Sequence, residues 1–164
     1  MKWIFDVDAS RCTACGACAI GCMDQNDIDI EGGDCPLRLV FACESDDATA
    51  YVSMACMHCE NAPCVRACPT GCLSKDLETG LTVYDRDLCI GCHSCAMACP
   101  FGAPSFDKEG KMRKCDGCIT RLQHGMEPAC VRLCPTGALH LYKEDEYKAA
   151  RIGRSLKKII TDKT

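Results

Sequence analysis

Large aromatic side chains are scarce in this sequence, with one Trp, four Tyr and four Phe among 164 residues. Such a chain has few of the bulky groups that fill an ordinary hydrophobic core, so its fold calls for another source of cohesion. Long apolar runs are missing too. No stretch approaches the roughly 20 residues that cross a bilayer as a helix, and no membrane span is expected in it. Nor is there a basic excess: the formal net charge is −4, which speaks against nucleic acid as a partner. The opening residues, Met1 to Asp8, carry neither an apolar signal core nor a pair of arginines. A cytoplasmic protein is the expectation, with export alongside a signal-bearing partner left open.

What the sequence has in abundance is cysteine, at 19 residues. That density belongs either to a disulfide-stapled secreted scaffold or to a metal protein. An odd number leaves a thiol over in any full disulfide pairing. Sixteen of the cysteines also fall into four tight groups, each containing Cys-x2-Cys. Group one is Cys12, Cys15, Cys18 and Cys22; group two is Cys56, Cys59, Cys64 and Cys68. Group three, Cys89, Cys92, Cys95 and Cys99, repeats the spacing of the first. Group four, Cys115, Cys118, Cys130 and Cys134, has a middle gap of eleven residues. Chelation requires such regularity and disulfide pairing does not, so the chain is read as a metal protein whose apo form is largely unfolded.

The run Cys-x2-Cys-x2-Cys-x3-Cys-Pro is the bacterial ferredoxin signature. Its first three cysteines wrap one face of a cubane on a tight loop. The fourth follows one short helical step later and ligates the other cluster of a pair. Proline then ends the helix, because the residue before it is held out of the α conformation. Pro69, Pro100 and Pro135 stand at this place in groups two, three and four, whereas group one continues with Met23. The small residues Ala14, Gly16, Ala17 and Gly91 suit loops that approach a cluster closely. Zinc is the alternative, but zinc knuckles and ribbons use two Cys pairs rather than triplets followed by a lone cysteine.

Because the fourth cysteine crosses over, the groups must be paired. Twenty residues separate Cys68 from Cys89, including a turn at Glu78-Thr79-Gly80 and the strand-like Leu81 to Tyr84. That is room for the return hairpin of a two-cluster ferredoxin. Only 15 residues separate Cys99 from Cys115, which looks cramped. Groups two and three are therefore expected to form an inner unit, about residues 50–105. Groups one and four form an outer unit, about 1–35 with 106–142. Groups two and four also share Cys-Pro-Thr-Gly, a small residue and Leu, at Cys68 to Leu73 and Cys134 to Leu139. The ligand sets that follow are Cys12, Cys15, Cys18 and Cys134; Cys22, Cys115, Cys118 and Cys130; Cys56, Cys59, Cys64 and Cys99; and Cys68, Cys89, Cys92 and Cys95. The expected fold is α+β: two interleaved ferredoxin-like units with short helices and small β-hairpins, carrying four [4Fe–4S] clusters and no catalytic site.

Around this frame, Trp3 to Val7 reads as a strand. Residues 36–54 read as a hairpin insertion, with Glu44 to Asp47 as its turn, that either meets a partner or covers a cluster from water. Residues 143–164 read as an amphipathic helix, with Ile152, Leu156, Ile159 and Ile160 on one side. That helix either packs on its own clusters or docks on another subunit. Cys35, Cys43 and Cys72 are read as thiols outside the clusters; Cys72 corresponds to Ala138 in the repeat and fits a small buried thiol. His58 and His93 lie inside cluster loops, as potential-tuning neighbours or plain histidines, and His124 lies in the long gap of group four.

From about Phe5 to Tyr142 the chain resembles the four-cluster iron–sulfur subunit of the dimethyl-sulfoxide-reductase superfamily of molybdenum and tungsten enzymes. The most specific segments are Cys56-Met57-His58-Cys59-Glu60-Asn61-Ala62-Pro63-Cys64 and Met126 to Pro135. Some relatives carry Trp in group three and a [3Fe–4S] centre, but here all four cysteines of that group are present. The resemblance implies an electron wire between a large Mo- or W-pterin subunit and a further redox partner. Subunits of hydrogenases, carbon monoxide dehydrogenases and tungsten aldehyde oxidoreductases are similar, so the substrate stays open. A free polyferredoxin and a zinc-dependent module are the competing classes.

Overall fold

The computed structural model describes residues 2–45 and 48–161, the side chains of 157–159 and 161 excepted. Its elements are short and their order is mixed, as an α+β chain organised around loops requires. Strand β1 (Trp3–Val7) leads into the first cysteine loop and helix α1 (Ala17–Gln25). Strands β2 (Leu39–Glu44) and β3 (Thr49–Met54) follow, then α2 (Pro63–Ala67), β4 (Leu73–Lys75) and β5 (Thr82–Tyr84). Helix α3 (Ser94–Ala98), strands β6 (Ser105–Phe106) and β7 (Met112–Arg113), and helices α4 (Ile119–Gln123) and α5 (Ala129–Arg132) come next. Strand β8 (Leu139–Lys143) and helix α6 (Glu144–Thr161) close the chain.

Each described strand pairs with one other, antiparallel. β1 pairs with β8, Trp3 opposite Lys143 and Val7 opposite Leu139. The other ribbons are the local hairpins β2–β3, β4–β5 and β6–β7. Helix α1 packs on α5, and α2 on α3. The β6–β7 hairpin lies in the 15-residue gap that looked too cramped for one. It fits because Asp107 folds its turn tightly, its Oδ1 accepting from the N–H groups of Glu109 and Lys111 at 3.0 Å each.

Proline placement sets the helix lengths. Cys68 and Cys99 cap α2 and α3 in extended conformations, each immediately before a proline. The pre-proline clash forbids a further helical turn there. After Cys22 there is no proline, and α1 runs on to Gln25, nine residues in all.

Cysteine replaces the bulky core. Among the described residues the buried apolar set is nine Cys, four Leu, three Ala and Met112. Part of it gathers in two patches. One holds Ala62, Cys64, Cys72, Leu73, Cys89, Cys95 and Met112. The other holds Cys18, Cys130 and Leu139, with Phe5, Val7 and Val40 packed against them.

The predicted hairpin is β2–β3. Val40 and Ser53 face inward, while Leu39 and Phe41 are exposed, so one side covers the protein and the other is open to solvent. Asp46 and Asp47 of its predicted turn lie outside the described residues. So do residues 162–164 of the predicted helix. Within α6, Arg154 pairs with Asp6 of β1 at 2.5 Å, whereas Ile152 and Leu156 are more than half exposed, so this part of the apolar side is not spent on the protein's own clusters. Arg154→Ala is expected to cost about 0.5–1 kcal/mol, as a partly exposed ion pair does. Faster amide exchange confined to α6 is the sign to look for; unchanged exchange there would show that the pair does not tether the helix.

Candidate metal centres

The four Cys-x2-Cys loops share one backbone device. The residue immediately before the second cysteine has positive φ in every group: Ala14 (56°), His58 (47°), Gly91 (68°) and Gly117 (79°). A left-handed residue there curls the loop so that successive cysteines face one centre. Glycine adopts it freely, while Ala and His do so at a cost on the order of 1 kcal/mol. At Gly91 a side chain is also sterically barred, since a Cβ would come within 2.7 Å of the Gly110 carbonyl oxygen in the β6–β7 turn.

The Cys-Pro-Thr-Gly repeat has a chemical reading. The Thr hydroxyls reach back to the sulfurs, Thr70 Oγ1 lying 3.6 Å from Cys68 Sγ and Thr136 Oγ1 3.7 Å from Cys134 Sγ. Left-handed Gly71 and Gly137 then turn the chain so that its N–H groups return to the same sulfur. The Ala138 N–H donates to Cys134 Sγ at 3.2 Å. Burial raises the Cys68 and Cys134 thiols, yet backbone N–H groups and these threonines outweigh it and lower both. Similar N–H donation reaches Cys89 from Met112 at 3.3 Å, Cys115 from Gly117 at 3.4 Å and Cys99 from Ala103 at 3.5 Å. Each stabilises a thiolate sulfur.

Two cavities display how the groups meet. One, about 290 Å³ counting all space between its walls, is lined by Cys89, Cys92 and Cys95 of group three with Cys68 of group two. The other, about 300 Å³ on the same measure, is lined by Cys12, Cys15 and Cys18 with Cys134. The remaining eight sulfurs are related by their fields. Burial, then the neighbouring Cys130, pushes Cys22 up to about 12, with Cys118 adding to the effect, and Cys22 is in turn among the groups acting on the fully buried Cys115. Cys64, raised by burial, also feels Cys56 and Cys99, while Lys75 lies in the field of Cys56, Cys59 and Cys64. Among the described residues no three His, Cys, Asp or Glu side chains are gathered closely enough for a single metal ion. A zinc knuckle requires that closeness; a cage of four irons spreads its sulfurs more widely.

Cations surround these sulfurs, and sequence reasoning missed them. Arg38 is 4 % exposed, although it sits in a stretch that reads as apolar. Its Nη1 donates to Ser53 Oγ at 2.9 Å, and that hydroxyl lies 3.2 Å from Cys18 Sγ, free to pass its own proton toward the sulfur. Burial opposes the charge of Arg38, but Cys130, Cys115, Cys18 and Cys22 more than restore it. Among the described residues its Nε has no hydrogen-bond partner, although it is buried. Lys114, 1 % exposed, donates to the carbonyls of Thr82 and Cys115. Lys75 Nζ donates to the carbonyls of His58 and Cys59 at 3.1 and 3.0 Å. An unfilled guanidinium donor and a buried ammonium group beside thiols call for a compensating anion. A thiolate-ligated [4Fe–4S] cluster carries net negative charge, and no carboxylate lines either cavity. The residues fit that group.

The outlying residues sort plainly. Cys72 is buried at 3 % exposure beside the Cys68–Cys89 cavity, and Cys35 and Cys43 are exposed thiols. His93 stacks on Phe106 with ring centroids 3.7 Å apart. His124 is exposed, with its Nδ1 2.8 Å from the Thr120 carbonyl. His58 is buried; burial first, then Lys114 and Lys75, hold it well below the usual histidine range.

The 4Fe-4S dicluster domain matches residues 48–144. The chain belongs to the 4Fe-4S dicluster family. It is 40% identical over 161 residues to the B chain of anaerobic dimethyl sulfoxide reductase of Escherichia coli (strain K12), covering 88% of this chain and 75% of the relative. To thiosulfate reductase electron transfer subunit PhsB of Salmonella typhi it is 38% identical over 149 residues, covering 88% and 77%. The iron-sulfur subunit of nitrate-inducible formate dehydrogenase of Escherichia coli (strain K12) is 34% identical over 158 residues, with 85% and 54% covered. Within the dicluster family the chain is thus an electron-transfer subunit of the dimethyl-sulfoxide-reductase superfamily, not a catalytic one, and its cofactors are [4Fe–4S] clusters. Among its described residues no helix is long and apolar enough to cross a membrane.

Proposed function

We propose that sixteen cysteines hold four [4Fe–4S] clusters in two nested units, and that the chain works bound between a Mo- or W-pterin catalytic subunit and a second redox partner. The chemistry that bound clusters would supply is one-electron transfer. The sets are those read from the spacing, with Cys22, Cys68, Cys99 and Cys134 each serving the cluster of the paired group. One observation carries the reading: Cys68 closes the cavity of Cys89, Cys92 and Cys95, as Cys134 does for Cys12, Cys15 and Cys18. Residues 50–105 then form the inner unit, and 1–35 with 106–142 the outer, in keeping with α1 on α5 and α2 on α3.

A bound subunit is favoured over a freely diffusing polyferredoxin by apolar groups left in solvent next to cluster loops. Ile20 is 64% exposed, Ile90 67% and Met97 80%. Covering such side chains in an assembly would remove their apolar surface from water. Work in a reducing cytoplasm is part of the reading, in keeping with Cys35, Cys43 and Cys72 all being unpaired thiols.

Iron and sulfide analysis of the anaerobically purified protein is expected to give about 16 Fe and matching sulfide, four per cubane. Cys68→Ser is expected to alter one cluster signal in electron paramagnetic resonance and Cys22→Ser a different one. Stoichiometric zinc, or both variants altering the same signal, would sink the assignment. Elution as a lone monomer with a full iron load would favour the polyferredoxin.

A further inference from the structure

His58 belongs to the second cysteine loop, yet its ring serves the fourth. The Thr82 backbone N–H donates to Nδ1 at 3.0 Å. A backbone N–H has only a proton to offer, so Nδ1 is the unprotonated nitrogen and the ring proton resides on Nε2. Nε2 lies 3.7 Å from Cys115 Sγ, within reach of a hydrogen bond to sulfur. The tautomer is therefore fixed by the protein, and the donor points at a sulfur in a different cysteine group.

Everything around the ring holds it there. It is 7% exposed and stacks on Phe5 of β1, with centroids 5.4 Å apart and planes 24° from parallel. Thr82, which fixes Nδ1, is 1% exposed. Lys75 anchors the His58 carbonyl, and Lys114 joins the carbonyls of Thr82 and Cys115. The backbone at His58 is left-handed, an unfavourable state for a non-glycine residue, and the hydrogen bond and stacking hold it in that state.

We infer that His58 is a positioning residue that spans the two units and sets the reduction potential of the cluster held through Cys115 by donating Nε2–H to that sulfur. This rests on the ligand sets proposed above. Reduction adds negative charge, part of which falls on the ligand sulfurs. A donor at one of them stabilises the reduced state more than the oxidised one and raises the potential.

The test is a potentiometric titration, followed by electron paramagnetic resonance, of the complex purified with its clusters. In His58→Asn the amide oxygen can still accept from Thr82 while nothing reaches Cys115. In His58→Gln the longer amide can again offer an N–H to the sulfur. Asn is expected to lower one midpoint of the four by about tenfold in the reduced-to-oxidised ratio, some 59 mV for one electron. Gln is expected to recover most of it. The shifted signal should be the one altered by Cys115→Ser. In wild-type protein carrying [15N]imidazole-labelled histidine, that signal should show a weak nitrogen coupling that His58→Gln abolishes. This measurement stands even if the Asn variant loads poorly. If Cys115→Ser alters no signal, the ligand set has failed. If it does, yet His58→Asn moves no midpoint, or Asn and Gln shift alike, or labelled histidine gives no coupling, the inference about His58 is wrong.

Discussion

Removing the iron is expected to unfold most of the chain in one step. Apart from nine cysteines and three alanines, the described buried apolar set offers four leucines and Met112. Each such side chain contributes about 1.5–3 kcal/mol when buried, a thin core for a chain of this length. The proposed clusters add the cross-links that such a thin core lacks. The set joining Cys12, Cys15 and Cys18 to Cys134 closes a loop of more than a hundred residues. For a disulfide, a loop of about 100 residues is worth about 4.7 kcal/mol of unfolded-state entropy on the chain model, and four cubanes tie the chain at many points. Chelation under mild acid should therefore abolish the far-ultraviolet circular dichroism of β1–β8 and the helices, together with the visible charge-transfer absorption. Anaerobic reconstitution with Fe and sulfide should restore both. An iron-free protein that keeps its circular dichroism and disperses its amide resonances would show that the protein scaffold stands by itself.

The sequence was informative where the determinant is local and less so where two distant segments meet. Cysteine spacing and the prolines at 69, 100 and 135 locate the loops and the helix ends, because a pre-proline residue and a Cys-x2-Cys turn are set by a few neighbouring bonds. Strand β1, the β2–β3 ribbon and α6 follow from short-range pattern for the same reason. The β6–β7 hairpin was missed because residue number was weighed without the Asp107 turn that makes the gap sufficient. Arg38 was passed over as one charge in an apolar stretch. Its meaning depends on Cys18, Cys22, Cys115 and Cys130, which spacing alone does not bring to it. His58 was noticed as a neighbour of Cys56 and Cys59, but its donor faces Cys115, 57 residues away. The exposure of Ile152 and Leu156 likewise depends on how α6 meets β1 and β8.

Arg38→Met is expected to be the most damaging change outside the cysteines. Methionine matches much of the length and removes the charge. The guanidinium donates to Ser53 Oγ at 2.9 Å, and Ser53 Oγ lies 3.2 Å from Cys18 Sγ. It therefore stands no more than about 6 Å from that sulfur, where a unit charge at an effective dielectric of about 20 is worth about 3 kcal/mol. For a one-electron couple that corresponds to roughly 130 mV, at about 2.3 kcal/mol per 100 mV. Two proposed clusters share the cation, one through Cys18 and one through Cys22, Cys115 and Cys130. Both midpoints should fall together, while those of the inner unit move less. Losing one partner of a buried charge set also costs about 3–5 kcal/mol, so part of the iron should be lost at moderate temperature. Arg38→Lys keeps the charge but not the shape of the guanidinium that reaches Ser53, and should restore the midpoints more fully than the stability. The two variants separate charge from packing. An Arg38→Met protein with about 16 Fe and all four midpoints in place would show that the guanidinium does not act on the clusters, and that the buried cation serves only to position β2 against β3.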